Sequence, residues 1–203
     1  MSRMVLASDR DDVEVAAALR SGNPVVLWCG DLPNPLAVLT FPASSVTKGD
    51  MALLVRHCSG LVCVTVPAED CARLGLPAMS LCDDESAPVA QFRVTVDAGD
   101  GITTGISAQD RAHTARLLAD PRSDRDTFRR PGHMLTVRVD APHPPGHIQQ
   151  GIAQSVADLM RSAGLNGFGV YSHLVGDGPH LADLDAAVSF ATAHGMPLFR
   201  RGA

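Results

Sequence analysis

Three histidines, His133, His147 and His173, bring imidazoles to the second half of the chain. An imidazole titrates close to neutral pH, so each is suited to taking up or giving back a proton. If the three converged they would suit a transition metal, although their spacing matches no recognised ligand pattern. Arg130 can grip an anion through its planar fork or pair with Asp124 or Asp126. Thr103 and Thr104 lie between Gly101 and Gly105, which reads either as a turn or as a pocket rim. Cys58 and Cys63 read as buried thiols; with no charge partner in view, reactivity is the minority reading. Asp83-Asp84-Glu85 reads first as a solvated loop.

The bulk of the chain narrows the setting. Its 203 residues suit one sizeable domain, and 45% hydrophobic with 19% charged residues is ordinary for a folded protein. A net charge of −5 argues against nucleic acid or an anionic membrane as partner. Sixteen of the 17 basic residues are Arg, and Lys48 is the only lysine. The five cysteines form no CxxC pair, which fits a reducing compartment. No apolar run resembles a signal peptide or approaches a membrane span. A cytoplasmic protein is expected.

The elements that must position these side chains alternate between helix and strand. Asp11-Asp12 caps a helix to Arg20, with Gly22 as its stop, and Pro24–Trp28 reads as a buried strand. Cys29–Pro35, with Gly30, Pro33 and Pro35, must be a turn-rich loop. A helix follows Thr47 with Met51, Leu54, Val55 and Cys58 on one face, ending at Ser59-Gly60. Leu61–Val66 is strand-like and Ala68–Leu74 a short helix. Phe92, Val94 and Val96 alternate with Arg93, Thr95 and Asp97, as in a half-buried strand. Ser107 caps a helix through Leu118, and Leu135, Val137 and Val139 alternate again. A proline-rich segment around His143 breaks the pattern before an amphipathic helix, Ile152 to Ala163, closed by Gly164. Gly167–Val175 reads as a strand and Leu184–His194 as a helix stopped by Gly195. One α/β domain over residues 1–203, a mixed sheet flanked by helices, follows.

Three segments then carry a specific signal in fixed order. Phe41-Pro42-Ala43 leads to Met51-Ala52-Leu53 and Arg56-His57-Cys58-Ser59-Gly60; Gly101-Ile102-Thr103-Thr104-Gly105-Ile106-Ser107-Ala108-Gln109-Asp110-Arg111 follows; Arg130-Pro131-Gly132-His133 is third. Together they resemble the 3,4-dihydroxy-2-butanone 4-phosphate synthase family of the riboflavin pathway, from about the first helix to Leu198. The resemblance implies an α/β sandwich and a homodimer with active sites between subunits. It implies a lyase that converts ribulose 5-phosphate into dihydroxybutanone phosphate and formate with magnesium. Such chemistry needs bases for protons beside carbonyls and a cation for enediolates.

The acidic loop of the family, Asp-Asp-x-Asp-Arg-Glu-Asn-Glu-Gly-Asp, falls on Cys29-Gly30-Asp31-Leu32-Pro33-Asn34-Pro35-Leu36-Ala37-Val38. The metal-binding Glu becomes Asn34, the Arg before it Pro33, and only Asp31 stays acidic. The family's Gly-His-Thr-Glu falls either on Ile152-Ala153-Gln154 or on Gly146-His147-Ile148-Gln149; the second gives His147 a role. The late catalytic Glu, in Gly-Val-x-x-Glu, aligns with His173 of Gly169-Val170-Tyr171-Ser172-His173.

On this basis His133 and His173 are the acid/base candidates, and Thr103, Thr104, Arg130, His147 and Asp31 the substrate-binding ones. No metal ligand set and no cofactor is expected, since the residues that would hold magnesium are replaced. The leading expectation is a repurposed enzyme acting on a small polar or phosphorylated substrate, in specialised metabolite biosynthesis. Alternatives are a non-catalytic binding or regulatory dimer, and the ordinary synthase with acidity restored by Asp31 and Asp83–Glu85.

Overall fold

Apolar runs without alternation set the architecture, because a strand covered on both faces has no polar side to show. Val25–Cys29 (β1) is buried at every position, and so is all of Leu36–Pro42 (β2) beyond its first residue. In the computed structural model, which describes residues 9–79, 91–140, 151–178 and 180–201, these strands form a hairpin through the 30–35 turn. The remaining strands are Cys63–Pro67 (β3), Phe92–Ala98 (β4), Phe128–Val139 (β5), Gly169–His173 (β6) and Leu198–Arg201 (β7). They make one seven-stranded mixed sheet of order β4-β5-β3-β6-β2-β1-β7.

Successive residues of a strand point to opposite faces, which divides the core in two. Val26, Trp28, Leu39, Val64, Met134 and Val170 face one side. There Lys48–His57 (α2), Ala108–Ala119 (α4) and Leu184–His194 (α6) cover them with Met51, Leu54, Ala115, Leu118 and Ala187. Val25, Leu27, Cys63, Val137 and Tyr171 face the other, under Asp9–Arg20 (α1) and Ile152–Ser162 (α5). A small helix, Ala68–Arg73 (α3), follows β3. Each fully covered Val or Leu stabilises the sandwich by roughly 1.5–3 kcal/mol.

Helix ends follow their capping residues. Thr47 and Asp50 close a capping box on α2, Ser107 accepts from the Asp110 N–H at the start of α4, and Gly195 stops α6 at φ 61°. Several boundaries differ from the sequence reading. Helix α1 begins at Asp9, so Asp11 and Asp12 lie inside it. Val55 is 43% exposed and does not share the buried face of α2. Strands β2 and β7 were not anticipated, and β6 stops at His173 where the reading ran to Val175. The Asp83–Glu85 run, His143 and His147 lie outside the described residues.

The register decides what meets at one end of the sheet. Cys63 lies opposite Leu135 on one side and Tyr171 on the other. His133 and His173 each lie two residues farther along, at the same end of the sheet. Val38 pairs with both His173 and Leu27, and Cys29 pairs with Arg201 one step beyond. At about 4.8 Å per strand, β5 and β6 run roughly 10 Å apart, and β5 and β7 roughly 24 Å.

Candidate active site

His133 projects from β5 where that strand is bulged against β4. Its Nδ1 lies 2.7 Å from Asp97 Oδ2, and its backbone N–H donates to Asp97 Oδ1 at 2.9 Å. An ionised carboxylate only accepts, so Nδ1 is the donor, and in the neutral ring that leaves the lone pair on Nε2. The ring is 41% exposed while the Asp97 side chain is 9% exposed. The pair is therefore an oriented base with a shielded orienting carboxylate, the arrangement that proton abstraction requires. Asp97 was expected on the polar face of β4 and is buried instead.

The 101–107 turn folds over this pair. Thr103 donates to Asp110 Oδ2 at 2.7 Å, and the Gly105 N–H donates to the same oxygen at 3.1 Å. These bonds, the Thr103 hydroxyl foremost, hold the Asp110 carboxyl below the usual carboxylate range. Gly105 has φ +88°, and a Cβ there would strike the Asp97 carboxylate and come within 2.8 Å of His133 Nδ1. Only glycine serves both the conformation and the close approach. Thr104 is exposed beside it. The two threonines thus divide, Thr103 bound into the scaffold and Thr104 free at the rim.

Arg130 is placed differently from either expectation. Its guanidinium donates to the carbonyls of Leu74, Gly75, Arg125 and Phe128, so it clamps the chain after α3 and pairs with neither Asp124 nor Asp126.

His173 ends β6. Burial lowers its pKa, keeping the ring neutral, and it packs edge-on to Tyr171 with centroids 6.3 Å apart. The Ser59 N–H donates to the His173 carbonyl at 2.8 Å, and Cys58 bridges to Leu174. The Arg56–Gly60 segment therefore pins the strand end that carries His173. Burial pushes the Cys58 thiol up to about 12 and the Cys63 thiol to about 11, so both stay protonated.

The third group surrounds the β1–β2 turn. Asp31 Oδ2 lies 3.0 Å from Arg201 Nε, and Arg201 Nη1 donates to Ser155 Oγ of α5. The Gly30 N–H donates to the Arg201 carbonyl at 2.8 Å. Sequence reasoning named Asp31 and missed Arg201, whose only signal was a basic residue at the end of an apolar pair.

Magnesium, which the resemblance implies, does not fit this turn. Hard Mg²⁺ takes carboxylates and water in an octahedron. Pro33 and Pro35 carry no donor, Leu36 is apolar, and the Asp31 carboxylate already faces a guanidinium. A divalent ion at Asp31 would have to share that carboxylate with the guanidinium, whose positive charge offsets most of the attraction a single carboxylate offers. Among the described residues no three His, Cys, Asp or Glu side chains gather closely enough to hold a metal ion.

Surface cavities of about 570 Å³, between α1 and His194–Pro197, and about 450 Å³, beside His113 and Asp126, are lined by none of Asp31, His133 and His173.

A family model for 3,4-dihydroxy-2-butanone 4-phosphate synthase matches residues 13–201. The enzyme of that name from Desulfovibrio desulfuricans is 35% identical over 184 residues, covering 90% of this chain and 80% of its own. The crystal structure of the Candida albicans synthase superposes with a TM-score of 0.80 at 33% identity, covering 93% of this chain and 92% of that one. A synthase crystallised with two magnesium ions superposes with a TM-score of 0.81 at 33% identity, over 93% and 91% of the two chains. Family model, sequence relatives and folded shape agree, and the chain belongs to the 3,4-dihydroxy-2-butanone 4-phosphate synthase family.

Proposed function

We propose that the protein is an enzyme of the synthase type, which draws a proton from a carbon beside the carbonyl of a small phosphorylated hydroxyketone. Ribulose 5-phosphate is the first substrate to offer it, with dihydroxybutanone phosphate and formate as products. The single observation that carries this reading is the Asp97–His133 pair, 2.7 Å apart, with the His133 side chain 41% exposed beside the glycine-framed 101–107 turn. The family relationship supplies the substrate.

A second reading rests on the β1–β2 turn. With Pro33, Asn34, Pro35 and Leu36 there and Asp31 paired to Arg201, the same scaffold would serve a related polar substrate in another biosynthetic route, without carboxylate-held magnesium.

One assay separates them. Purified protein is given ribulose 5-phosphate with magnesium and, in parallel, with EDTA, and formate is measured. Formate in either arm supports the first reading, and loss of about 10²-fold or more in His133→Ala assigns the base. No formate in both arms leaves the second.

We also propose that the enzyme is a homodimer. The β5 and β7 ends of the site lie about 24 Å apart, too far for one small substrate to bridge. Leu61 and Ile106, 52% and 57% exposed, present apolar surface from the turns before β3 and α4. A second copy set against this end would bring the His133 group of one chain to the Asp31–Arg201 group of the other.

A further inference from the structure

We propose that Arg201 occupies, as a fixed internal cation, the place where a divalent ion would otherwise act, so that the β1–β2 end of the site receives an anionic oxygen of the substrate directly. The inference rests on the reading that this sheet end is the substrate site, and it adds the charge class of the group bound there.

Three elements converge on the guanidinium. Strand β7 delivers it beside Cys29 of β1, Asp31 of the turn faces Nε at 3.0 Å, and Ser155 of α5 accepts from Nη1. The side chain is only 20% exposed, whereas Asp31 is 37% exposed. Two of the five N–H directions of a guanidinium are thus turned toward protein groups, and Nη2 has no partner among the described residues. A fork held on two sides has already lost its rotamer freedom, so an incoming phosphoryl or enediolate oxygen meets a pre-set donor pair. The same pairing disfavours a metal ion. Asp31 is the last carboxylate of the turn, and its charge is already matched.

The partial cancellation by Asp31 limits affinity for a bare anion to about the millimolar range. The remainder of the binding would come from the rest of the substrate. Arg201 acts on the substrate, while Asp31 and Ser155 are positioning residues that aim the fork.

The test uses the full chain and needs no turnover. Inorganic phosphate is titrated while the Arg201 Nε–H resonance, assigned by its disappearance in Arg201→Lys, is followed by NMR. In a separate sample Mn²⁺ is added to about 1 mM, and broadening of the Arg201 and Ser155 signals is read. The expected result is a saturable shift with phosphate and no selective broadening with Mn²⁺. Phosphate affinity, followed through the Ser155 amide, should fall about tenfold in Arg201→Met and less in Arg201→Lys, which keeps the charge. Selective broadening by Mn²⁺ overturns the proposal, and so does a phosphate titration that is unchanged in Arg201→Met. Absence of formate from ribulose 5-phosphate would strike the synthase reaction alone, because neither titration depends on it.

Discussion

Burial does to His173 what a neighbouring charge would do elsewhere: it lowers the pKa and keeps the ring neutral. That has a sign for stability. With a folded-state pKa below the ordinary 6.5, the unfolded chain binds more protons in the interval between the two values. His173 therefore costs no stability above pH 6.5 and costs progressively more as pH falls through that interval. Replacement by Gln removes the titration, so the loss of Tm on acidification from pH 7 to about pH 5 should be smaller in His173→Gln than in the parent. His57, also lowered by burial, remains in both proteins and cancels in the difference. Equal slopes would show that the imidazole is not desolvated. His133 differs because its carboxylate partner, and not burial, sets its orientation. Two histidines at one sheet end are thus prepared for different tasks, one as an exposed oriented base and one as a neutral wall.

At the scale of elements, glycines set how closely the 101–107 turn can approach β4 and β5. Gly105 and Gly60 have nearly the same backbone, φ +88° and +81°, but a Cβ at Gly60 meets nothing within 4 Å. Alanine at Gly60 pays for the left-handed conformation alone. At Gly105 it must also displace Asp97 or His133. Gly60→Ala should cost about 1 kcal/mol and Gly105→Ala about 2 kcal/mol more, read as a further Tm drop of roughly 4–8 °C. Comparable losses in thermal melts would mean that the turn does not press on the Asp97–His133 pair.

Much at this scale was legible in the sequence, because helix signals are local. Ser107, Gly164 and Gly195 mark helix ends, and α4, α5 and α6 lie where the pattern put them. The family motifs gave the fold and singled out His133. Strand β2 escaped because prolines bracket it at Pro35 and Pro42 and Thr40 interrupts its apolar run, and β7 because it has four residues. Asp97 escaped for a related reason. Alternation predicts exposure, yet the bulge at Val96–Asp97 and the close passage of Gly132 turn its carboxylate beneath His133. Arg201 becomes meaningful only once β7 lies beside β1. Pairings between segments distant in sequence hold what one-dimensional reading leaves out.

For the whole molecule, the strand order sets a quantitative expectation. If each active site takes His133 from one chain and Arg201 from its partner, a dimer mixing His133→Ala with Arg201→Met chains contains one doubly altered site and one intact site. Random pairing makes half of the dimers mixed, and half of their sites are whole. Co-expression of two separately inactive variants should then restore about a quarter of the parent rate of formate release. If His133 and Arg201 act within one chain, every site in every dimer carries one defect and no activity returns. Sizing the mixture on a column confirms that dimers were present in both cases. Recovery is expected, since His133 on β5 and Arg201 on β7 are about five strand spacings apart and only a second sheet end can close that gap around a small substrate.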